Sequence, residues 1–240
     1  MKYLLLLLLT TVLLTSCGNN DDNASNQTTD TVHSTETSAN PASTNDDVLT
    51  SYVQGQDYHV LNTAYNTENT KQVVVYEFFS YACRHCYTFE TFINEWLITK
   101  PDYVKFVRVP LNFNPSWANL QQAFLTAQTM GIAEKTHAQL FDALHKENKR
   151  LNSLEDLASW YAHEAGIKKE DFMSTAQSFI LDSNMRQADK MGVLMQVSST
   201  PTLIVNGKYF ASKKKERKEI MKILNFLIEK EAGSMGLLSN

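Results

Sequence analysis

The feature that most constrains the fold is a pair of cysteines at the point where a strand pattern changes to a helix pattern. A buried strand is predicted by the β-branched and aromatic run before them, KQVVVYEFFSY (71–81). From Arg84 onward, apolar residues recur every three or four positions until a proline ends the run, which predicts a helix. Alternating residues predict a second strand over 103–111. Cys83 and Cys86 are therefore expected at the start of the helix in a strand–helix–strand unit.

The remainder of the folded region is mostly helical and ends in a hairpin and a helix. Apolar periodicity and helix caps predict helices in the segments 114–131, around 140–144, 153–166, 170–181 and 185–195. Two strands joined by an Asn-Gly turn are predicted by TPTLIVNGKYFA (200–211), and an amphipathic helix by 213–230. This order predicts an α/β fold in which helices, over about 114–196, interrupt a sheet domain.

The first residues, MKYLLLLLLTTVLLTSC, combine a basic start, a short apolar run and small residues. The run Leu4–Leu14 has 11 residues, whereas a bilayer-spanning helix needs about 20, so a secretory signal is predicted. The last four letters resemble the bacterial lipoprotein processing box. That resemblance implies a signal peptide over 1–16 and lipidation of Cys17, which would anchor the protein to a membrane. The alternative is an ordinary signal peptide with an incidental cysteine.

A polar segment separates this start from the folded region. Residues 18–47 are almost all Asn, Asp, Ser, Thr and Ala, with no Lys, Arg or aromatic residue. Such a composition buries too little apolar surface to offset chain ordering, so 17–50 is predicted to be a disordered tether with a reach of roughly 30 Å. One folded domain is expected over 51–232, followed by a short tail over 233–240.

The charge balance gives no reason to expect a nucleic-acid partner. The chain has a net charge of −4, but residues 18–50 contain six acids and no base. The folded region, 51–240, contains 20 acids and 21 bases and is nearly neutral. Its local basic run, KYFASKKKERKEI (208–220), is expected to be a solvated face at a helix start.

Three roles are open to the cysteine pair, and two have weak support. A structural zinc site commonly uses four Cys or His ligands, and only one Cys pair is present. The other histidines of the folded region are expected at surface or half-buried positions without a ligand role: His59, His137, His145 and His163. No metal is therefore predicted, although a copper- or zinc-binding module remains an alternative. As a structural staple, a bridge across two residues would restrict the unfolded chain very little.

The third role, redox chemistry, follows from the position of the pair. Unpaired backbone N–H groups and the helix dipole stabilise negative charge at a helix N-terminus, and Arg84 and His85 add possible positive partners. Cys86 lies one turn deeper and is expected to be the more buried thiol. A Cys83 pKa two to three units below ambient pH stabilises the reduced form by roughly 3–4 kcal/mol, which raises the reduction potential by about 60–90 mV. The pair is therefore predicted to donate its disulfide.

Two segments resemble the DsbA family of bacterial thiol–disulfide oxidoreductases. EFFSYACRHCYTFE (77–90) is similar to the active-site segment of that family, and STPTLIVNGKY (199–209) to its cis-proline loop and hairpin. YVQGQDYHVL (52–61) resembles the first strand of the family. The resemblance covers roughly residues 51–231 and implies a thioredoxin-like fold with a helical insertion and no bound cofactor.

The resemblance also implies catalytic roles. Cys83 corresponds to the exposed nucleophile and Cys86 to the resolving thiol. His85 would stabilise the Cys83 thiolate. Glu77 corresponds to a buried acid and would relay a proton to Cys86; the alternative is a strand residue that faces solvent.

Substrate binding is implied for the residues that face the pair. Pro201 corresponds to the cis-proline, and the backbone of Thr200 would pair with an extended substrate segment. Arg84 stands where the best-known members carry proline, so it adds a cation beside the pair and is a candidate substrate contact.

The activity implied is that of an envelope thiol:disulfide oxidoreductase that donates disulfides to reduced exported polypeptides. A quinone-linked membrane partner of the DsbB type would reoxidise the pair. The alternative enzyme is an envelope reductase or isomerase, because a threonine before the proline also occurs in isomerase branches. Against an isomerase, the tether lies where an N-terminal dimerisation domain would be.

Overall fold

A five-stranded sheet lies at the centre of the domain. The computed structural model describes residues 52–67 and 71–238. The strands are β1 (Tyr58–Val60), β2 (Val73–Phe79), β3 (Val104–Pro110), β4 (Thr202–Val205) and β5 (Tyr209–Ala211). Their order is β1-β5-β4-β2-β3, and only the β2–β3 pair is parallel. Every residue of β2 is buried, as its continuous apolar run predicts.

Seven helices surround and extend this sheet in the described part of the chain. They are α1 (Arg84–Thr99), α2 (Ala118–Thr129), α3 (Ala133–His145), α4 (Leu154–Ala165), α5 (Lys169–Ala176), α6 (Phe179–Leu194) and α7 (Arg217–Ser234). Helices α2 to α6 all lie between β3 and β4 in the chain, so the predicted α/β fold with a helical insertion is confirmed. No helix in the described ranges combines the length and apolar character needed to cross a membrane.

Several boundaries follow the local signals in the sequence. Ser153 caps α4 through a capping box with Asp156, and Gly166 ends that helix in the left-handed conformation at φ 70°. The turn between β4 and β5 has positive φ at both Asn206 and Gly207. A Cβ at Gly207 would lie 2.5 Å from the Tyr65 carbonyl oxygen, so this position requires glycine.

Three expected boundaries are wrong. The single helix predicted over 170–181 is two helices, because Ser178 accepts a hydrogen bond from the Leu181 N–H and starts a new helix there. The strand expected over 52–61 is reduced to β1, which pairs with only three residues of β5. The last helix begins at Arg217 rather than at residue 213, and it extends to Ser234, beyond the expected domain end.

Apolar side chains cover both faces of β2 and hold the active-site end of the sheet in place. Val73 and Val75 pack with side chains of α1 and α7, whereas Phe78 packs with residues of α6 on the opposite face. Phe79, at the end of β2, joins the core of the helical insertion. The predicted signal peptide, Cys17 and the tether lie outside the described residues.

Candidate active site

Cys83 is the N-cap residue of α1. Its backbone is extended, and its Sγ accepts a hydrogen bond from the Cys86 N–H at 3.2 Å. A turn between β2 and α1 places it there, with the Cys83 N–H bonded to the Ser80 carbonyl at 3.0 Å. Cys83 is 9% exposed and Cys86 is fully buried, and both are free thiols. The predicted difference in burial is therefore present.

The two thiols have opposite electrostatic environments. The hydrogen bond from the Cys86 thiol, together with those from Thr200 and from the Cys86 and His85 N–H groups, outweighs burial and lowers the pKa of Cys83 to about 6. Burial raises the pKa of Cys86 far above its ordinary value, and the neighbouring Cys83 sulfur raises it further. At neutral pH the negative charge of the reduced pair therefore lies on Cys83.

The loop before β4 lies against Cys83. Its Thr200–Pro201 peptide bond is cis, as the resemblance implies, and Cys83 Sγ lies 3.5 Å from the Thr200 carbonyl oxygen. The Thr200 N–H forms no hydrogen bond with any residue in the described ranges. An unpaired backbone donor beside the reactive sulfur is available to an extended polypeptide.

Glu77 lies inside the protein, not at its surface. It occupies β2 opposite Arg108 in the β2–β3 register, and Arg108 Nε lies 3.3 Å from its Oε2. Arg108 also donates to Glu90 at 3.4 Å. Burial and the charge of Glu90 outweigh Arg108 and raise the pKa of Glu77 to about 8; the charge of Cys83 adds a smaller contribution. The solvent-facing alternative for Glu77 is wrong.

His137 joins this group, contrary to the expectation of a surface or half-buried position. It is 4% exposed, with Nε2 3.2 Å from Glu90 and Nδ1 2.9 Å from the Tyr81 hydroxyl. Burial lowers the pKa of His137 and so favours the neutral ring, whose two nitrogens face these two groups. We refer to Glu77, Glu90, Arg108 and His137 as the buried polar cluster.

The sequence contained a signal for the missed members of this cluster. Glu90 stands among the buried residues of the apolar face of α1, and His137 among those of α3. A charged or titratable residue on such a face needs a partner, because burying an unpaired polar group is costly. The partners of these residues lie on other helices and strands, so they could be identified only from the three-dimensional structure.

Arg84 contacts the helical insertion. Its Nη1 donates to the His145 carbonyl at 2.9 Å, at the C-terminal end of α3. The His145 ring stacks on Tyr87 with a centroid separation of 5.1 Å, and its Nε2 lies 2.8 Å from the Tyr81 carbonyl. These contacts join the start of α1 to α3 and use one nitrogen of the guanidinium, while the Arg84 side chain stays exposed. The role of Arg84 as a substrate contact stays a prediction.

A groove of about 390 Å³ opens beside the cis-proline loop. Exposed His85 lies in its wall, together with Thr200 and Pro201. The lining also includes apolar residues and a basic segment: Phe89, Leu203, Ala211, Ile220, Lys213, Lys215 and Arg217. The basic run that was expected to be a simple solvated face therefore borders the site.

Comparison with known proteins agrees with this geometry. The thioredoxin family model matches residues 64–225. The thiol:disulfide interchange protein DsbA of Pseudomonas aeruginosa is 37% identical over 182 residues, which cover 75% of this chain and 86% of the relative. DsbA of Pseudomonas syringae pv. tomato is 39% identical over 155 residues, or 65% of this chain and 72% of the relative. The crystal structure of P. aeruginosa DsbA superposes with a TM-score of 0.71 at 37% identity and covers 76% of this chain and 96% of that structure.

Proposed function

Since the chain belongs to the DsbA family of thioredoxin-fold thiol:disulfide oxidoreductases, we propose that it introduces disulfides into reduced polypeptides exported to the cell envelope. The observation that carries this proposal is the opposite environment of two adjacent thiols. Cys83 accepts hydrogen bonds from Cys86 and has a pKa of about 6, whereas the pKa of Cys86 is raised by burial. This arrangement separates the reacting sulfur from the sulfur that takes up the proton.

The reaction begins with the Cys83–Cys86 disulfide. A substrate thiolate attacks Cys83 Sγ, a substrate–Cys83 disulfide forms, and the Cys83–Cys86 bond breaks. The electron pair of the broken bond goes to Cys86, which takes up a proton because its pKa is high. Burial of Cys86 restricts attack to Cys83.

The second step releases the product. A second substrate thiolate attacks the substrate sulfur of the mixed disulfide, the substrate disulfide forms, and Cys83 leaves as a thiolate. Overall, two substrate thiols lose two electrons and two protons. Both electrons and one proton pass to the enzyme, which ends with a Cys83 thiolate and a Cys86 thiol, and the other proton goes to solvent. The hydrogen bonds to Cys83 favour this departure, because a thiol with a lower pKa is a better leaving group.

Glu77 is proposed to relay the proton that Cys86 takes up. Its pKa of about 8 leaves it largely protonated at neutral pH, and it lies close enough for the charge of Cys83 to raise that pKa. Its Oε2 lies 3.3 Å from Arg108, which also lies 3.4 Å from Glu90.

Substrate docking and location complete the proposal. The free Thr200 N–H supports pairing with an extended substrate segment beside Pro201.

The sequence around Cys17 supports a lipid anchor, and hence a location at a membrane of the cell envelope. A DsbB-like membrane quinone oxidoreductase is proposed to restore the Cys83–Cys86 disulfide.

The test is oxidation of a reduced model peptide with two cysteines by the processed, oxidised protein. We expect peptide thiols to disappear in proportion to added enzyme and Cys83→Ala to abolish this activity. His163→Ala is the control, since it removes an exposed side chain of α4 outside the groove lining and should leave oxidation unchanged. An undiminished rate with Cys83→Ala would contradict the mechanism. A pair found mostly reduced in cells would favour the reductase or isomerase alternative.

A further inference from the structure

The segment between β5 and α7 brings two cations to the groove beside Cys83. Lys213 and Arg217 line this groove together with Thr200 and Pro201. Cys83 Sγ lies 3.5 Å from the Thr200 carbonyl oxygen, and Thr200 lines the same groove as the two cations, so a chain that pairs with Thr200 lies near them. Neither cation contributes to the thiolate or to the proton relay described above.

Lys213 has no acidic partner among the described residues. Its Nζ donates to Ser199 Oγ at 2.6 Å and to Ser198 Oγ at 3.2 Å. No carboxylate oxygen of a described residue lies within 4 Å of it, whereas Lys215, on the same segment, pairs with Asp57. Partial burial also lowers the pKa of Lys213. A partly desolvated ammonium bonded only to hydroxyl groups has capacity for a carboxylate.

Arg217 is in a similar position. One of its terminal nitrogens donates to Thr88 Oγ1 at 3.0 Å, and within the described part of the chain no carboxylate lies within 4 Å of the guanidinium. Its remaining N–H donors suit the two oxygens of a carboxylate. Glu216 is the one acid in the groove lining, so with Lys215 neutralised the groove retains positive charge.

The groove also has an apolar part. Phe89 and Leu203 are almost fully buried and form its floor together with half-buried Ile220. Successive side chains of an extended polypeptide point to opposite sides. A segment paired with Thr200 would therefore place some side chains on the apolar floor and others at the cationic edge.

We propose that Lys213 and Arg217 determine substrate specificity by selecting polypeptide segments that carry Asp or Glu within a few residues of the reacting cysteine. The inference rests on the proposed function, because it takes the occupant of the groove to be the reduced substrate. The cations contact the substrate chain away from the reacting sulfur, so they act on substrate association and not on the bond exchange.

The experiment compares two reduced peptides that are identical except that two Glu residues beside the first cysteine are replaced by two Lys residues. We expect kcat/KM at low ionic strength to be about three- to tenfold higher for the acidic peptide, as one or two partly exposed ion pairs would produce. The double variant Lys213→Gln/Arg217→Gln should abolish most of this preference. Lys214→Gln removes a neighbouring charge outside the groove lining and should retain it.

Ionic strength provides a second measurement that needs no variant. The preference of the unmodified protein should fall towards onefold as salt is raised, because exposed pairs are screened. Equal kcat/KM values for the two peptides at low salt would overturn the inference while leaving the proposed function intact. A preference that survives in the double variant, or that salt leaves unchanged, would also overturn it. If neither peptide is oxidised, the proposed function itself fails.

Discussion

The thiol pair and the buried polar cluster shift the pKa of an acidic group in opposite directions. At the start of α1, hydrogen bonds from Cys86, Thr200 and His85 outweigh burial, so the pKa of Cys83 falls to about 6. In the cluster, burial and like charge outweigh Arg108, so the pKa of Glu77 rises to about 8. The first region therefore holds a thiolate at neutral pH and the second holds a proton. Disulfide exchange needs both.

The largest expected effect comes from removing the one cation of the cluster. Arg108 is 7% exposed and lies against Glu77 and Glu90, so Arg108→Met leaves buried carboxylate without its counter-charge. We expect the free energy of unfolding to fall by about 3–5 kcal/mol, as for other buried pairs that lose one partner. Denaturant titration of the reduced protein measures it.

A surface pair provides the control. Lys149 and Glu147 are half exposed, so Lys149→Met should change the free energy of unfolding by less than about 1 kcal/mol. Equal losses in the two variants would mean that the cluster contributes no more than a surface ion pair.

A second expected effect concerns the pH dependence of stability. Between about pH 4.5 and 8, unfolded Glu77 has released a proton that the folded protein still holds, so its contribution to the free energy of unfolding falls as pH rises. Glu77→Gln removes this titration. The variant should therefore gain stability relative to the unmodified protein across that range, by at most about 1.4 kcal/mol per pH unit.

The contribution of Cys83 to the free energy of unfolding changes with pH in the opposite direction. Its folded pKa of about 6 lies below its ordinary value of about 9, so it makes the reduced protein more stable as pH rises from 6 to 9. Parallel stability curves for Glu77→Gln and the unmodified protein between pH 4.5 and 8 would contradict the assignment of a raised pKa to Glu77.

A smaller effect is expected from the thiol that donates to Cys83. Cys86→Ala removes the hydrogen bond that contributes most to the lowered pKa of Cys83 and retains the backbone N–H of residue 86. We expect the pKa of Cys83 to rise by one unit or more, measured from the pH dependence of its alkylation rate. An unchanged pKa would assign the stabilisation to backbone groups alone.

The smallest effect is expected at His85. His85 lowers the pKa of Cys83 through its backbone N–H, which an alanine at this position retains. The His85 side chain lines the groove instead. His85→Ala should therefore raise the pKa of Cys83 by less than Cys86→Ala does. A larger rise would show that the imidazole, as the family resemblance implies, is the main partner of the thiolate.

Much of the fold was predictable because its signals are local. The Cys83 helix start, the Ser153 cap and the Asn206–Gly207 turn each depend on neighbouring residues, and the structure contains all three. The missed cap at Ser178 was also local, but the apolar residues around it continued a helical pattern across the break. The shortened first strand depends on how many residues β5 offers it, which is a property of the sheet.

The buried polar cluster was only half predictable, because its members meet through tertiary structure. Glu77 was identified as a buried acid from the family resemblance. Its cation, Arg108, faces it only through the register of two parallel strands, and His137 reaches Glu90 only because α3 packs against α1. Likewise, the basic run near Lys213 became a groove wall only once α7 packed beside the cis-proline loop.

The central claim is that Cys83 in the reduced protein is a thiolate at neutral pH, and titration of thiolate absorbance against pH tests it directly. Because the pKa of Cys86 is far above the ordinary range, Cys83 should be the only thiol of the pair that ionises below pH 8. The expected curve has a midpoint at about 6 and disappears in Cys83→Ala. A midpoint between about 8 and 9, the range of an ordinary thiol, would contradict the account.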